Sequence, residues 1–173
     1  MEALTAGSKT YGQFGGRLWA LENAGGPTLA EMAVKAVEIL DGGEGFFLMI
    51  EAAHIDKLSH ENRGAEVKEA ILAFDAAVAA MLAFAEEDGE TLLVVTADHE
   101  TGAILYQNGS YVFTSGDHSN ADVPLFVYGS SNFIKNGQTV QNKDIAIFMA
   151  MSLGITRDEF PLMIKKEDEL LAA

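Results

Sequence analysis

The chain has 173 residues, 49% of them hydrophobic, and its mean hydropathy of +0.12 predicts a globular protein with a substantial core. Its formal net charge of −15 at pH 7 argues against nucleic acid or an anionic membrane as a partner, and it disfavours a phosphate ligand unless bound cations reverse the local charge. The chain has no cysteine, which excludes disulfides and thiolate metal sites and leaves the four histidines and the carboxylates as strong metal ligands.

No segment of the sequence has the features of a targeting signal or a membrane span. Residues 1–4 lack the basic and apolar regions of a secretion signal, and the longest apolar runs are too short to cross a bilayer. Residues 1–26 are rich in glycine and have no clear period, which is typical of a loop with short pieces of structure. We expect one α/β domain over residues 1–173, without an export signal in this chain.

The first predicted elements are a helix and a strand. The helix begins at Pro27, in its first turn, and ends at residues 41–43. Its predicted buried side carries Leu29, Met32, Val37 and Leu40. Residues 46–50 are apolar without alternation, which predicts a strand buried on both faces of a parallel sheet.

A group of residues suited to metal binding follows this predicted strand. Glu51 stands directly at its carboxyl end, where open α/β sheets bind ligands, and Asp56 and His60 come next. Asp56 and His60 are four residues apart, so on a helical turn they share one face and can bind one cation. The alternative is that Asp56 is a helix N-cap and His60 a surface histidine.

The next segment completes a predicted β-α-β unit. Residues 64–87 form a long helix that ends at Gly89, and residues 91–96 form a second buried strand. The predicted helix stripe consists of Val67, Ile71, Phe74, Val78, Met81 and Ala85, which we assign to ordinary core packing. Such a crossover makes the two strands parallel and brings their carboxyl ends to one edge of the sheet.

Asp98 and His99 follow the second predicted strand and form a second acidic and imidazole pair. Adjacent residues of a regular strand point to opposite faces, so these two can share a metal only if the chain leaves extended geometry after residue 96. Both predicted strands are followed by an aspartate and a histidine. This favours a metal site over the alternative that Asp56 is a helix N-cap and His60 a surface histidine.

The remaining elements include a hairpin, a third strand and a closing helix. Residues 104–107 and 110–113 flank Asn108-Gly109, which predicts a type I′ hairpin. His118 precedes a buried strand over 123–128, so it can reach the first two strand ends only if this strand runs antiparallel to them. Residues 144–153 predict a helix stopped by Gly154, and residues 154–173 form an extra tail.

In this order the motifs closely resemble those of the alkaline phosphatases, in register from about residue 11 to residue 154. The shared motifs are those of residues 27–32, 45–51 with 55–56 and His60, 96–102, and 116–118 before 123–129. The resemblance implies a partial alkaline phosphatase-like α/β fold: a mainly parallel buried sheet flanked by helices, with one antiparallel strand over 123–128 and a small hairpin.

The resemblance also implies ligands for two zinc ions and one magnesium ion. One zinc would be bound by Asp56, His60 and His118, and the second by Asp98 and His99. Glu51 would bind magnesium, and Lys57 matches a position near the bound phosphate in some members. His54 has no role that the resemblance assigns.

Several functional residues of the family have no match in this chain. The family's amino-terminal half supplies a nucleophilic serine in an Asp-Ser-Ala-like context, a bridging aspartate, a further magnesium ligand and an arginine that clamps phosphate. No serine here has that context, and the three arginines, Arg17, Arg63 and Arg157, do not match the clamp. The sequence therefore resembles the carboxyl-terminal part of such an enzyme.

The implied activity of the parent protein is hydrolysis of phosphate monoesters, and the isolated chain is predicted to be inactive or nearly so. By family habit the parent is a homodimer and is exported, and the isolated chain is expected to self-associate. Two alternatives stay open. One is a catalytically inert metal-binding fragment, and the other is a phosphodiesterase, sulfatase or phosphoglycerate mutase of the same broad superfamily.

Overall fold

The structure is a computed structural model that describes residues 25–43, 45–129, 134–156 and 159. The chain forms two compact units, Met1–Gly129 and Ser130–Ala173. The expectation of one domain over residues 1–173 with a tail over 154–173 stays a prediction. Almost all of the loop predicted for residues 1–26 lies outside the described residues.

The described part of the first unit consists of helices and short strands. The helices are α1 (Leu29–Leu40), α2 (His54–His60) and α3 (Gly64–Asp88). The strands are β1 (Leu93–Val95), β2 (Glu100–Thr101), β3 (Leu105–Gln107), β4 (Ser110–Val112), β5 (His118–Ser119) and β6 (Phe126–Tyr128). Within the described residues they form three antiparallel pairs, β1 with β6, β2 with β5 and β3 with β4.

Helix α1 begins with a capping box. The Thr28 hydroxyl accepts a hydrogen bond from the Glu31 N–H at 3.1 Å, and the Glu31 carboxylate accepts one from the Thr28 N–H at 2.8 Å. The buried stripe runs in steps of four through Leu29, Ala33 and Val37. The prediction that Leu40 is buried is wrong: this last residue of α1 is 39% exposed, and its neighbour Ile39 is buried.

Helix α3 agrees with the predicted span to within one residue. Gly89 ends it in the left-handed conformation, with φ of +73°, as the sequence predicted. The prediction that Ile71 is buried is wrong, since Ile71 is 46% exposed. The neighbouring Ala70 is buried instead and packs in a cluster with Leu58 of α2, so the next residue is rotated toward solvent.

Residues 46–50 do not form the predicted strand. Phe46, Leu48 and Ile50 pack against the core between α1 and α3, whereas Phe47 and Met49 are 54% and 81% exposed. Burial therefore alternates, and only one face is covered. Since no strand of the described part pairs with this segment, the expected parallel neighbour of β1, and with it the mainly parallel sheet, is absent from the described residues.

The predicted direction of the third strand is confirmed. β6 runs antiparallel to β1, with Val94 opposite Val127. Both strands are shorter than predicted, and β1 is half-buried rather than fully buried. Gly129 ends β6 with φ of +104°, and a Cβ there would lie 2.7 Å from the Thr91 carbonyl oxygen, so this close approach requires glycine.

The hairpin and the closing helix are also confirmed. Asn108 and Gly109 both have positive φ, +50° and +82°, as a type I′ turn between β3 and β4 requires. In the second unit, α4 (Asn142–Ser152) is followed by Gly154 with φ of +77°. Among the helices of the described residues, none combines the length and the hydropathy needed to cross a bilayer.

Candidate metal centre

Helix α2 presents Asp56 and His60 on one face. The Asp56 Oδ1 and His60 Nε2 atoms are 3.3 Å apart, as the spacing of four residues predicted. Ala53 is the N-cap of α2, so the alternative that Asp56 caps the helix is wrong. Leu58 is fully buried against Val67 and Ala70 of α3, and this contact holds the helix in place.

His118 joins this pair from strand β5. Its Nε2 atom lies 3.1 Å from His60 Nε2 and 3.5 Å from Asp56 Oδ1. The position of β5 is fixed by its pairing with β2 and by the Gly102 N–H, which donates to the Asp117 carbonyl at 3.0 Å. The structure therefore brings together the three residues that the sequence predicted as ligands of one zinc.

The donor atoms of these three residues have the spacing of a tetrahedral zinc site. Nitrogen and oxygen ligands about 2.0–2.2 Å from zinc are roughly 3.3–3.6 Å from each other. The Asp56 oxygen is 3.3 and 3.5 Å from the two imidazole nitrogens, within this range, and the two nitrogens are 3.1 Å apart, slightly below it. Two imidazoles and one carboxylate also make up the three protein ligands of many catalytic zinc sites. The residues present therefore fit zinc.

The ring of His60 is oriented by a second contact. His60 Nδ1 lies 2.7 Å from the Gly116 carbonyl oxygen, which can only accept a hydrogen bond. The Nδ1 atom therefore carries a proton and donates, and in the neutral ring the lone pair is on Nε2, which faces His118 and Asp56. This is the tautomer that a metal ligand needs.

Asp98 and His99 lie in the turn after β1. The chain bends at residues 98 and 99 and so leaves extended geometry here, as a shared metal requires, and the His99 N–H donates to Asp98 Oδ1 at 3.1 Å. Asp98 Oδ2 and His99 Nε2 are 3.4 Å apart. The His99 ring stacks on the His118 ring with centroids 3.6 Å apart. One donor atom each of Asp56, His99 and His118 falls within 4.8 Å of the others, so the two predicted zinc sites adjoin.

The other predicted site residues are not joined to this cluster. Glu51 is exposed in the segment before α2, and Lys57 is exposed on α2. Within the described ranges, no hydrogen bond or ion pair connects either side chain to the histidines or to Asp56 and Asp98. His54 is the first residue of α2 and is half-buried. The metal and phosphate roles predicted for Glu51 and Lys57 stay predictions.

Two residues of the site were missed in the sequence. Thr101 is 8% exposed, and its hydroxyl contacts both Asp56 and His99. Gly116 contributes only a backbone carbonyl. A single hydroxyl and a carbonyl leave no recognisable sequence pattern, although the position of Thr101 two residues after His99 was available as a hint.

Three serines beside the ligands already have hydrogen-bond partners. The Ser59 hydroxyl donates to the Ile55 carbonyl at 2.7 Å, and the Ser119 hydroxyl donates to the Glu100 carboxylate. The Ser115 hydroxyl accepts from the Asp117 N–H at 2.9 Å. The prediction that the nucleophilic serine of the resembling enzymes has no counterpart in this chain stays a prediction.

Comparison with known sequences gives one family. The sequence model of the family described as "Alkaline phosphatase" matches residues 16–115 of this chain. This range contains Glu51, Asp56, His60, Asp98 and His99, and it ends shortly before His118.

Individual relatives match different shares of the chain. Alkaline phosphatase H of Pseudomonas aeruginosa strain UCBPP-PA14 is 52% identical over 75 residues, which cover 42% of this chain and 16% of that protein. The alkaline phosphatase of Escherichia coli strain K12 is 47% identical over 154 residues, which cover 75% of this chain and 32% of that protein. The chain therefore spans less than a third of the length of these two relatives.

Solved alkaline phosphatase structures are similar to part of this chain. Alkaline phosphatase from the Antarctic bacterium TAB5 has a TM-score of 0.54 and 32% identity, and the match covers 59% of this chain and 33% of that chain. A mutant of the TAB5 enzyme, with Mg bound in its M3 site, has a TM-score of 0.54 and 33% identity over 58% of this chain and 34% of that chain. The described structure is thus a partial version of this α/β fold.

Proposed function

Because this chain belongs to the alkaline phosphatase family, we propose that it carries most of the metal ligands of a phosphate monoester hydrolase of the two-zinc plus magnesium type. The observation that carries the proposal is the convergence of Asp56 Oδ1, His60 Nε2 and His118 Nε2, which are separated by 3.1–3.5 Å. Histidine and carboxylate ligands at this spacing, in a chain of this family, favour zinc.

The proposed assignment follows the two clusters. Asp56, His60 and His118 bind the first zinc, and Asp98 and His99 contribute to the second. His99 also lies close to Asp56 and His118, so the two sites adjoin. Glu51 binds magnesium, and Lys57 lies near the phosphate of the substrate. When bound, the metal ions polarise the phosphoryl and leaving-group oxygens and activate the attacking oxygen.

The residues of the chain contribute orientation and charge to this proposed reaction. The Gly116 carbonyl orients His60, and the buried α2–α3 contact through Leu58 keeps Asp56 and His60 on one face. The net charge of −15 would repel a phosphate monoester unless the ligand cluster held cations. The cluster of Asp56, His60, His99 and His118 is therefore the part of the described molecule best suited to binding this substrate.

The activity of the whole protein is part of the proposal. We infer that the parent protein is a phosphomonoesterase, a homodimer and an exported protein. The isolated chain is inactive or nearly so, since no nucleophilic serine is recognised in its sequence. Membership of the alkaline phosphatase family supports the proposed phosphomonoesterase activity, and the chain spans less than a third of the length of the relatives that it matches.

A chimeric enzyme tests the proposed function. The aligned segment of the Escherichia coli relative, at 47% identity, would be replaced by the corresponding segment of this chain. We expect the chimera to hydrolyse a chromogenic phosphate monoester in the presence of zinc and magnesium, and to lose turnover on His118→Ala. A folded chimera that binds zinc and has no turnover would contradict the proposal.

A second candidate is a metal-binding protein without catalysis. The observation that favours it is that the hydrogen bonds of the Ser59, Ser115 and Ser119 hydroxyls in the described residues go to backbone groups or to Glu100, and to none of the proposed ligands. The same chimera separates the two candidates. Zinc binding without turnover in the chimera would support the inert module, whereas turnover that depends on His118 would exclude it.

A further inference from the structure

We propose that Thr101 is a positioning residue whose single hydroxyl couples the Asp56 and His99 ligands, so that the two proposed zinc sites assemble together. This inference rests on the proposed function. It assigns to Thr101 no contact with substrate and no part in proton transfer. Its role is to orient two ligands and to fix the tautomer of one of them.

The position of Thr101 allows one hydroxyl to reach both ligands. Thr101 is the last residue of β2 and is 8% exposed, so its side chain is withdrawn from solvent. Its Oγ1 atom lies 2.6 Å from Asp56 Oδ1 and 3.2 Å from His99 Nδ1. Asp56 and His99 are 43 positions apart in the sequence, and the Thr101 hydroxyl links them through two hydrogen bonds.

The number of protons sets the direction of both hydrogen bonds. A threonine hydroxyl has one proton to donate and two lone pairs, whereas an ionised carboxylate only accepts. The hydroxyl therefore donates to Asp56, and His99 Nδ1 must carry a proton and donate to the hydroxyl oxygen. This leaves the lone pair of the neutral ring on Nε2, the atom that lies 3.4 Å from Asp98 Oδ2.

The backbone of Thr101 extends the coupling to the third ligand segment. Thr101 is the direct cross-strand partner of His118 in the β2–β5 pair. The adjacent pair is fixed by the Ser119 hydroxyl, which donates to the Glu100 carboxylate. Thr101 therefore connects α2, the turn that carries Asp98 and His99, and strand β5.

Thr101→Val tests the coupling, because valine keeps the shape of the side chain and removes the hydroxyl. We expect zinc affinity to fall by about 10- to 100-fold, the usual loss when a partner of a metal ligand is removed. Thr101→Ser, which keeps the hydroxyl, should retain most of the affinity. Thr114→Val is the matched control, since the exposed Thr114 hydroxyl donates to the Ala103 carbonyl at 2.8 Å and contacts no ligand.

The tautomer of His99 provides a readout that depends neither on metal nor on the folding of Thr101→Val. Ring ¹⁵N chemical shifts of the metal-free chain, assigned with His99→Gln, should show the proton on Nδ1. A proton on Nε2 would overturn the inference, as would equal zinc affinities for the wild type and a folded Thr101→Val. If the wild type bound no zinc but His99 had its proton on Nδ1, the proposed function and the joint assembly of the zinc sites would fail, and only the orientation of His99 by Thr101 would stand.

Discussion

The Nε2 atoms of His60 and His118 lie 3.1 Å apart, although the two residues are 58 positions apart in the sequence. His60 donates from Nδ1 to the Gly116 carbonyl, so its Nε2 lone pair points at a second imidazole nitrogen. Two lone pairs at this distance repel each other unless a proton or a cation lies between them. The Asp56 carboxylate, within 3.5 Å of both nitrogens, favours a cation.

The packing of Leu58 should control the position of both ligands on α2. Leu58 is fully buried against Val67 and Ala70. We expect Leu58→Ala to lower the free energy of unfolding by about 2–5 kcal/mol, because it leaves a cavity under α2. Urea denaturation measures this change. Leu72→Ala, at a side chain that is 58% exposed, should cost less than about 0.5 kcal/mol, and an equal loss in both variants would contradict the assigned packing.

Gly102 should be intolerant of any side chain. Its φ is +95°, and a Cβ would lie 2.6 Å from Cδ1 of Phe113. We expect Gly102→Ala to lower the free energy of unfolding by more than about 1 kcal/mol, because backbone strain and steric overlap add. Gly109 has a similar φ of +82° and open space around it, so Gly109→Ala is the control for backbone strain alone. If thermal denaturation gave the same loss for both, the close contact with Phe113 would be unimportant.

The exposed side chains of residues 46–50 should promote self-association. Phe47 and Met49 are 54% and 81% exposed, and this segment pairs with no strand in the described part of the chain. We expect the double change Phe47→Ser and Met49→Ser to weaken association of the isolated chain in sedimentation velocity. Leu72→Ser, on α3, is the control. A wild type that is monomeric at all concentrations would contradict this prediction.

The isolated chain should hydrolyse phosphate monoesters at a negligible rate. Removal of a catalytic nucleophile typically costs several decades of rate, and this sequence has no serine in the context that the family uses. An assay with a chromogenic ester at alkaline pH, with zinc and magnesium added, measures this rate. Ordinary enzymatic turnover that disappears on Asp98→Ala would show that the chain has its own nucleophile.

The local elements of the fold could be predicted because short-range chemistry determines them. The left-handed Gly89 and the turn at Asn108-Gly109 each depend on a few neighbouring residues. The strand at 46–50 was predicted wrongly because an apolar run shows that a segment can be buried on both faces. It does not show whether a neighbouring strand is there to pair with it.

The ligands of the candidate site were predictable for a different reason. Helical spacing predicted that Asp56 and His60 share one face. The resemblance to the alkaline phosphatases implied His118 as the third ligand, and the antiparallel direction of its strand was inferred from that assignment. Thr101 could not be found in this way, because its role depends on a tertiary contact with Asp56, 45 positions away. Burial of Leu40 and Ile71 was also mispredicted. Tertiary packing decides which of two adjacent apolar residues is buried, and here it buries Ile39 and Ala70.

Zinc titration of the isolated chain by calorimetry tests the central claim, that Asp56, His60 and His118 form one zinc site. The wild type is compared with His118→Ala and with a matched control, His54→Ala, at a histidine without an assigned role. We expect zinc binding by the wild type, a loss of at least about 10-fold in affinity for His118→Ala, and a much smaller change for His54→Ala. Equal zinc affinity in the wild type and His118→Ala would contradict the assigned site.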